Sequence, residues 1–237
     1  MKNKAILIAL GFLPLISVAQ VTIKSPEDFT IGTTLKFQGC DTTGIKPGLL
    51  GAKQTWDFST LKPTKQSTET IIAPADAPNS SKYPKTTQVE KNSDGSYVYV
   101  EKEALNSLML AYVSGNNTIE YTKPMIFAKR PTNFGGTNSY PYASKMNWGG
   151  IQSESTGMST IAAEGYGTLI LPDKKKYTDV LRIKITQKEK NAQGNMTITT
   201  YVWFDDKHKS ALLKISIINT PQYNSKSVEY LLSEEDK

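Results

Sequence analysis

The sequence predicts an all-β protein, an antiparallel β-sandwich or half-open β-barrel of roughly ten strands. Three observations carry that expectation. Apolar residues recur with a period of two along most of the chain, turn residues separate the runs at strand-length spacing, and no stretch shows the apolar stripe of a three-turn amphipathic helix.

In chain order, Ser25-Pro26-Glu27-Asp28 has the signature of a single helical turn, with Ser25 as N-cap and Pro26 at the first helical position. Pro74 to Pro84, rich in Pro, Ala, Ser and Asn, reads as a loop. Asp94-Gly95 closes a tight hairpin, because both central positions of such a turn favour positive φ. Strands follow at Tyr97–Glu101 and Leu108–Val113, with a turn at Gly115-Asn116-Asn117. Lys129 to Gly150, interrupted by Pro131, Gly135-Gly136, Pro141 and Gly149-Gly150, reads as a long irregular segment. Gly165 to Leu171 is a nearly unbroken apolar run, as a central strand requires.

Leu181, Ile183 and Ile185 then alternate with Arg182, Lys184 and Thr186, a half-buried strand with one wet face. After a turn at Gln193-Gly194-Asn195, Thr197–Phe204 carries Ile198, Thr200, Val202 and Phe204 on one face and Tyr201 and Trp203 on the other. That strand should be covered on both sides. Asp205-Asp206-Lys207 turns the chain into Leu212–Ile218, and Val228–Leu232 is the last strand.

The first nineteen residues stand apart. Lys2 and Lys4, the apolar run Ala5–Ile16 and Ser17-Val18-Ala19 form a secretory signal peptide, with cleavage after Ala19. The expectation is export to the periplasm or the extracellular space, with residues 20–237 as a single all-β domain. Its charge is mild: the leader holds 2 of the 28 basic residues and none of the 22 acidic ones, leaving 26 − 22 = +4. No basic stripe is interleaved with aromatics, so no nucleic acid is expected as partner. Lys174-Lys175-Lys176 reads as a solvated turn, and no transmembrane segment is expected in the mature chain.

Absences bound the chemistry. His208 is the single histidine, which excludes zinc sites needing two and leaves a histidine triad one candidate. It lies in a charged turn and reads as a solvated surface residue. Cys40 is alone, cannot form an intramolecular disulfide, and reads as a small buried apolar group. Ser59-Thr60-Leu61-Lys62 has the spacing of penicillin-recognising enzymes, but Pro63 denies it the helix that spacing requires. Glu90 to Glu101 imitates a calcium loop, yet its flanks are strands and a hairpin explains it better. Glu101 and Glu103 offer two carboxylates, which on a strand more commonly face water. No catalytic residue, metal site or cofactor is predicted.

Several stretches together resemble a known group. KPG at Lys46–Gly48 with QTWDFSTL ending at Leu61, GYGTLILP at Gly165–Pro172, YTDVLRIK at Tyr177–Lys184 and YVWF at Tyr201–Phe204 are similar to a family of exported all-β proteins of Bacteroidetes. That family has no established activity, so the resemblance assigns no catalytic residue. Many of its members end in a type IX sorting domain, whereas this chain stops at Lys237, soon after its last strand; periplasm and exterior both stay open. Asp41-Thr42-Thr43 resembles the O-glycosylation acceptor of such proteins, with Thr42 as acceptor. The order of the last strands also loosely resembles periplasmic lipoprotein carriers.

The functional expectation is a non-catalytic binding or cell-envelope-associated protein whose ligand is a glycan, a lipid or an envelope protein. A glycan- or protein-binding module would present exposed aromatics. A periplasmic carrier of lipid or another hydrophobic ligand would enclose an apolar cavity in a curved sheet. A carboxylate-dependent hydrolase is the more distant alternative. The candidate site is the Lys129–Gly150 segment, with Arg130, Phe134, Tyr140, Tyr142 and Trp148 as its ligand-binding residues. Alanine at Tyr142 and Trp148 is expected to weaken binding while lowering the melting temperature little.

Overall fold

The computed structural model describes residues 21–192 and 194–236. The signal peptide expected over residues 1–19, and Gln193 of the expected Gln193-Gly194-Asn195 turn, lie outside the described residues.

The first half contains β1 (Thr22–Ile23), β2 (Thr34–Cys40), β3 (Gly51–Asp57), β4 (Pro63–Ile72), β5 (Gln88–Asn92), β6 (Ser96–Lys102), β7 (Asn106–Ser114) and β8 (Asn117–Lys129). The second half contains β9 (Thr132–Asn133), β10 (Thr137–Trp148), β11 (Ile151–Ile170), β12 (Lys176–Asn191), β13 (Gly194–Phe204), β14 (Leu213–Asn219) and β15 (Asn224–Glu235). Ser25–Asp28 forms a turn rather than a helix, with Glu27 at φ 56°.

The main sheet has 13 strands, with β3 at one end of the hydrogen-bonded order. Pairing of β10 with β11 closes the remaining 12 into an antiparallel ring. The chain runs up and down around that ring, and β15 returns to pair with β2. The fold is therefore all-β, as expected, but it is neither a sandwich nor half-open. Sandwich and barrel share the same alternation, so period alone does not distinguish them; the β15–β2 and β10–β11 ladders do.

The expected irregularity of Lys129–Gly150 is also corrected, because most of it is β10. Pro141 falls where β10 pairs with β11 alone, before its ladder to β8 starts at Ala143. Proline is tolerated at such an edge.

Strand registers divide the residues between two faces. Ile183, Val202, Lys214 and Glu229 are successive cross-strand partners on β12 to β15 and point inward. Their neighbours Arg182, Trp203, Leu213 and Tyr230 point outward. The outward set is not exposed. Residues 41–62, including β3, fold over it, and Trp56 and Phe58 meet the fully buried Trp203 edge-on at 6.0 and 5.5 Å. Trp56 Nε1 donates to the Leu49 carbonyl at 2.9 Å, and Asp57 accepts from the Ser59 amide. Arg182 pins this cover by donating to the Pro47 and Gly48 carbonyls and to Glu164. Gly165 and Gly167 let β3 dock in parallel on β11, since a Cβ on Gly167 would lie 1.9 Å from the Gln54 carbonyl oxygen.

The 73–86 connection covers a second outer patch, with Tyr83 against Tyr99. Elsewhere the outer wall is wet: Lys145 and Glu154 are exposed partners across β10 and β11. Among the described residues no helix is long and apolar enough to cross a membrane.

Residues 21–33 cross one end of the barrel as a plug. Ile23, Pro26 and Phe29 are buried, and β1 pairs with β9. Lys102 binds Asp28 at 2.7 Å and the Phe29 carbonyl at 2.8 Å.

Candidate ligand cavity

Eight strands leave a barrel interior just wide enough for side chains to fill, and diameter grows with strand number. A ring of 12 must therefore hold space unless it flattens. Here it encloses a cavity of about 280 Å³ beneath the plug. One part of its wall is apolar, formed by Leu35, Phe37, Ile183, Ile185, Val202 and Phe204. Glu27, Glu69, Glu90, Glu229, Lys129 and Lys214 supply the charge, with Lys129 Nζ donating to Asn138 Oδ1 at 3.2 Å. A space of about 540 Å³ adjoins it, shares Phe37, Glu69, Asn92, Lys214 and Glu229, and reaches the Ser93-Asp94 turn at the other end of the barrel.

Each charged group owes its position to register. Glu69 pairs with Leu35 on one side and Asn92 on the other, and Glu90 pairs with Ile71 and Val98. Glu27 comes from the plug, where the backbone turn aims it down the axis. Lys214 and Glu229, opposite one another on β14 and β15, form an ion pair of 3.0 Å. The carboxyl groups of Glu27, Glu69 and Glu90 have no hydrogen-bond or ion-pair partner among the described residues.

These groups keep some accessible area because the lumen is open, yet protein surrounds them on every side, and depth governs their titration. Burial, then repulsion from Glu69, pushes Glu27 up to about 8. Burial pushes Glu69 up to about 7, against the pull of Lys214. Burial together with Glu69 and Glu27 holds Glu90 well above the usual carboxylate range. The Lys214 ammonium is favoured first by Glu229. Near neutral pH Glu27 and Glu69 thus lie close to the middle of their titration, while Lys214 is ion-paired with Glu229 and Lys129 donates to Asn138.

Another interior group lies toward the open end. Tyr142 Oη donates to Glu189 at 3.1 Å, and the Tyr121 ring meets Tyr142 at 5.8 Å. Gly157 makes room for that ring: a Cβ there would lie 2.4 Å from it.

The residues expected to bind ligand do not form one site. Arg130 is 4% exposed and donates to the carbonyls of Pro26, Glu27, Glu103 and Asn106 and to Ser107 Oγ, so it fastens the plug. Phe134 and Tyr140 pack against the inner cluster around Ile161 and Ile183. Tyr142 is buried in the wall at 3% exposure. Trp148 is 43% exposed at the rim, stacked on Tyr112 at 6.2 Å. Thr42 is half-buried beside the mouth, its carbonyl accepting from Lys226.

Other sequence features resolve simply. His208 is not a solvated surface residue: it is half-buried, with Nδ1 2.8 Å from Asp205, a contact that raises its pKa. A charged turn hid a pairing that only the fold-back of residues 205–208 creates. Cys40 is buried, and burial raises its thiol pKa. Asp94 accepts from the Ser96 amide and hydroxyl, as a hairpin turn does, while Glu90 points into the cavity. Among the described residues no three acidic, histidine or cysteine side chains converge closely enough to hold a metal ion.

Comparison with protein-family models, curated proteins and solved structures finds no match to this chain.

Proposed function

We propose that this protein is an exported binding protein that holds a small amphipathic molecule inside its barrel. One observation carries the reading: a cavity inside the barrel that combines an apolar wall with a few polar groups, the usual form of a small-molecule site. The competing glycan- or protein-binding reading draws its support from exposed aromatics. Of the four rings singled out in the sequence, Trp148 is the exposed one, and it is already stacked on Tyr112.

The test is organic extraction of the purified protein followed by mass spectrometry, with displacement of an environment-sensitive apolar dye as a second readout. Recovery of a stoichiometric small molecule, or saturable dye binding, supports the reading. Ile185→Trp, which adds bulk at a half-buried cavity position, should abolish dye binding with the fold retained. Dye binding untouched by that change would overturn the reading.

A further inference from the structure

The chemistry of the cavity selects among ligands. We propose that its ligand is a protonated organic amine on a short apolar body, with the ammonium among Glu27, Glu69 and Glu90 and the body along Leu35, Phe37 and Val202. The inference rests on the carrier reading above and names its ligand class.

Four glutamates and two lysines line the space; Lys214 is paired with Glu229 at 3.0 Å, and Lys129 Nζ donates to Asn138 Oδ1 at 3.2 Å. An anionic lipid or fatty acid would bring another negative charge to a wall where glutamates already outnumber lysines four to two. A neutral lipid would bury three partnerless carboxyls against its chain, and an unpaired buried polar group is expensive. An ammonium supplies up to three donors and one positive charge, and it can satisfy whichever of these carboxyls it meets without requiring all three to converge. A metal ion needs tighter convergence than the acidic side chains provide. The opposite wall carries Ile183, Ile185 and Phe204 with no charge among them, so the ligand needs an apolar side as well as a head.

The carboxyls are costly as they stand. Each is deep, unpartnered and close to its like, which pushes their protonation toward neutral pH. A cation that displaces their protons relieves both desolvation and repulsion, so binding should release protons to the buffer.

The experiment titrates the mature chain calorimetrically with octylamine, octanol and octanoate at pH 7.5 in two buffers of different ionisation enthalpy. The expected result is saturable binding of octylamine with proton release. Octanol should bind at least about tenfold more weakly, since a charge-assisted hydrogen bond contributes about 1.5–3 kcal/mol, and octanoate should not bind. In E69Q/E90Q, with unchanged circular dichroism, octylamine should weaken by at least about tenfold while octanol is unaffected. Octanol or octanoate binding as tightly as octylamine, or octylamine unmoved by the double variant, would refute the amine and leave the carrier reading standing. Binding of none of the three would overturn both.

Discussion

Lys214 reaches across the β14–β15 ladder to Glu229, 3.0 Å away. The pair stands where the cavity meets its mouth, so the Lys214 charge is spent on Glu229 before any ligand arrives. Glu27, Glu69 and Glu90 therefore face the cavity without a direct ion-pair partner in a lining where glutamates outnumber lysines four to two, and most of the chain's testable behaviour follows from that imbalance.

Stability should fall as pH rises through neutrality. A glutamate in the unfolded chain titrates near 4.5, whereas folded Glu69 holds its proton to about 7 and Glu27 to about 8. Between those values the folded state binds more protons, so its advantage shrinks with rising pH. His208 acts in the same direction, because its raised pKa gives stability below about 6.5 that is lost as pH climbs through the folded value. Glu69→Gln isolates the cavity's part. By thermal melting it should match the parent at pH 4 and exceed it by about 1–2 kcal/mol at pH 8, allowing for the lumen's access to solvent.

Arg130 should prove a fastener rather than a ligand contact. Arg130→Met leaves the Pro26, Glu27, Glu103 and Asn106 carbonyls short of a donor, which should cost about 3 kcal/mol in chemical denaturation. Hydrogen exchange should quicken over residues 21–33 and 103–107 first. Protection unchanged in both segments would show that the plug is held by other contacts.

Tyr142 and Trp148 should behave oppositely. Tyr142 fills the space over Gly157 and is 3% exposed, so Tyr142→Ala should destabilise by about 3 kcal/mol, as large aromatic truncations in cores do. This reverses the expectation of a small effect that its place in a Pro- and Gly-rich stretch created. Trp148→Ala at the rim should change stability by less than about 1 kcal/mol.

Gly167→Ala tests the cover. The added Cβ meets the Gln54 carbonyl, so β3 must move off β11 at a cost of at least about 2 kcal/mol. Tryptophan emission should shift to the red as Trp56 and Trp203 lose their shelter.

The later strands were legible because both faces of β13 are apolar, and the structure covers both, one by the cavity wall and one by residues 41–62. The first half of β11 was not legible. Ser153, Ser155, Gly157 and Ser159 occupy its inward face, small because the β10 side chains Ser144, Tyr142 and Tyr140 lie opposite on the inner face. The carboxylates were missed for a related reason. On β14 the apolar set Leu213, Ile215 and Ile217 faces outward under the cover or beside it, so the face bearing Lys214 looked like the wet one. A partial signal existed in Glu69 and Ile71, which share one parity in β4. Lys65 and Ser67 share that parity, however, so the face did not read as apolar. Closure of the ring depends on the β15–β2 pairing, nearly two hundred residues apart in sequence, and no local pattern encodes it.

The central claim is that a ligand enters the barrel, and methyl NMR tests it most directly. Ile183, Ile185 and Val202 line the cavity, while Leu213, Ile215 and Ile217 sit on the opposite face of the same wall. On titration with octylamine the inner methyls should shift together and saturate while the outer ones stay still. Shifts confined to the outer methyls or to the rim around Trp148, with the inner set unmoved, would contradict the account.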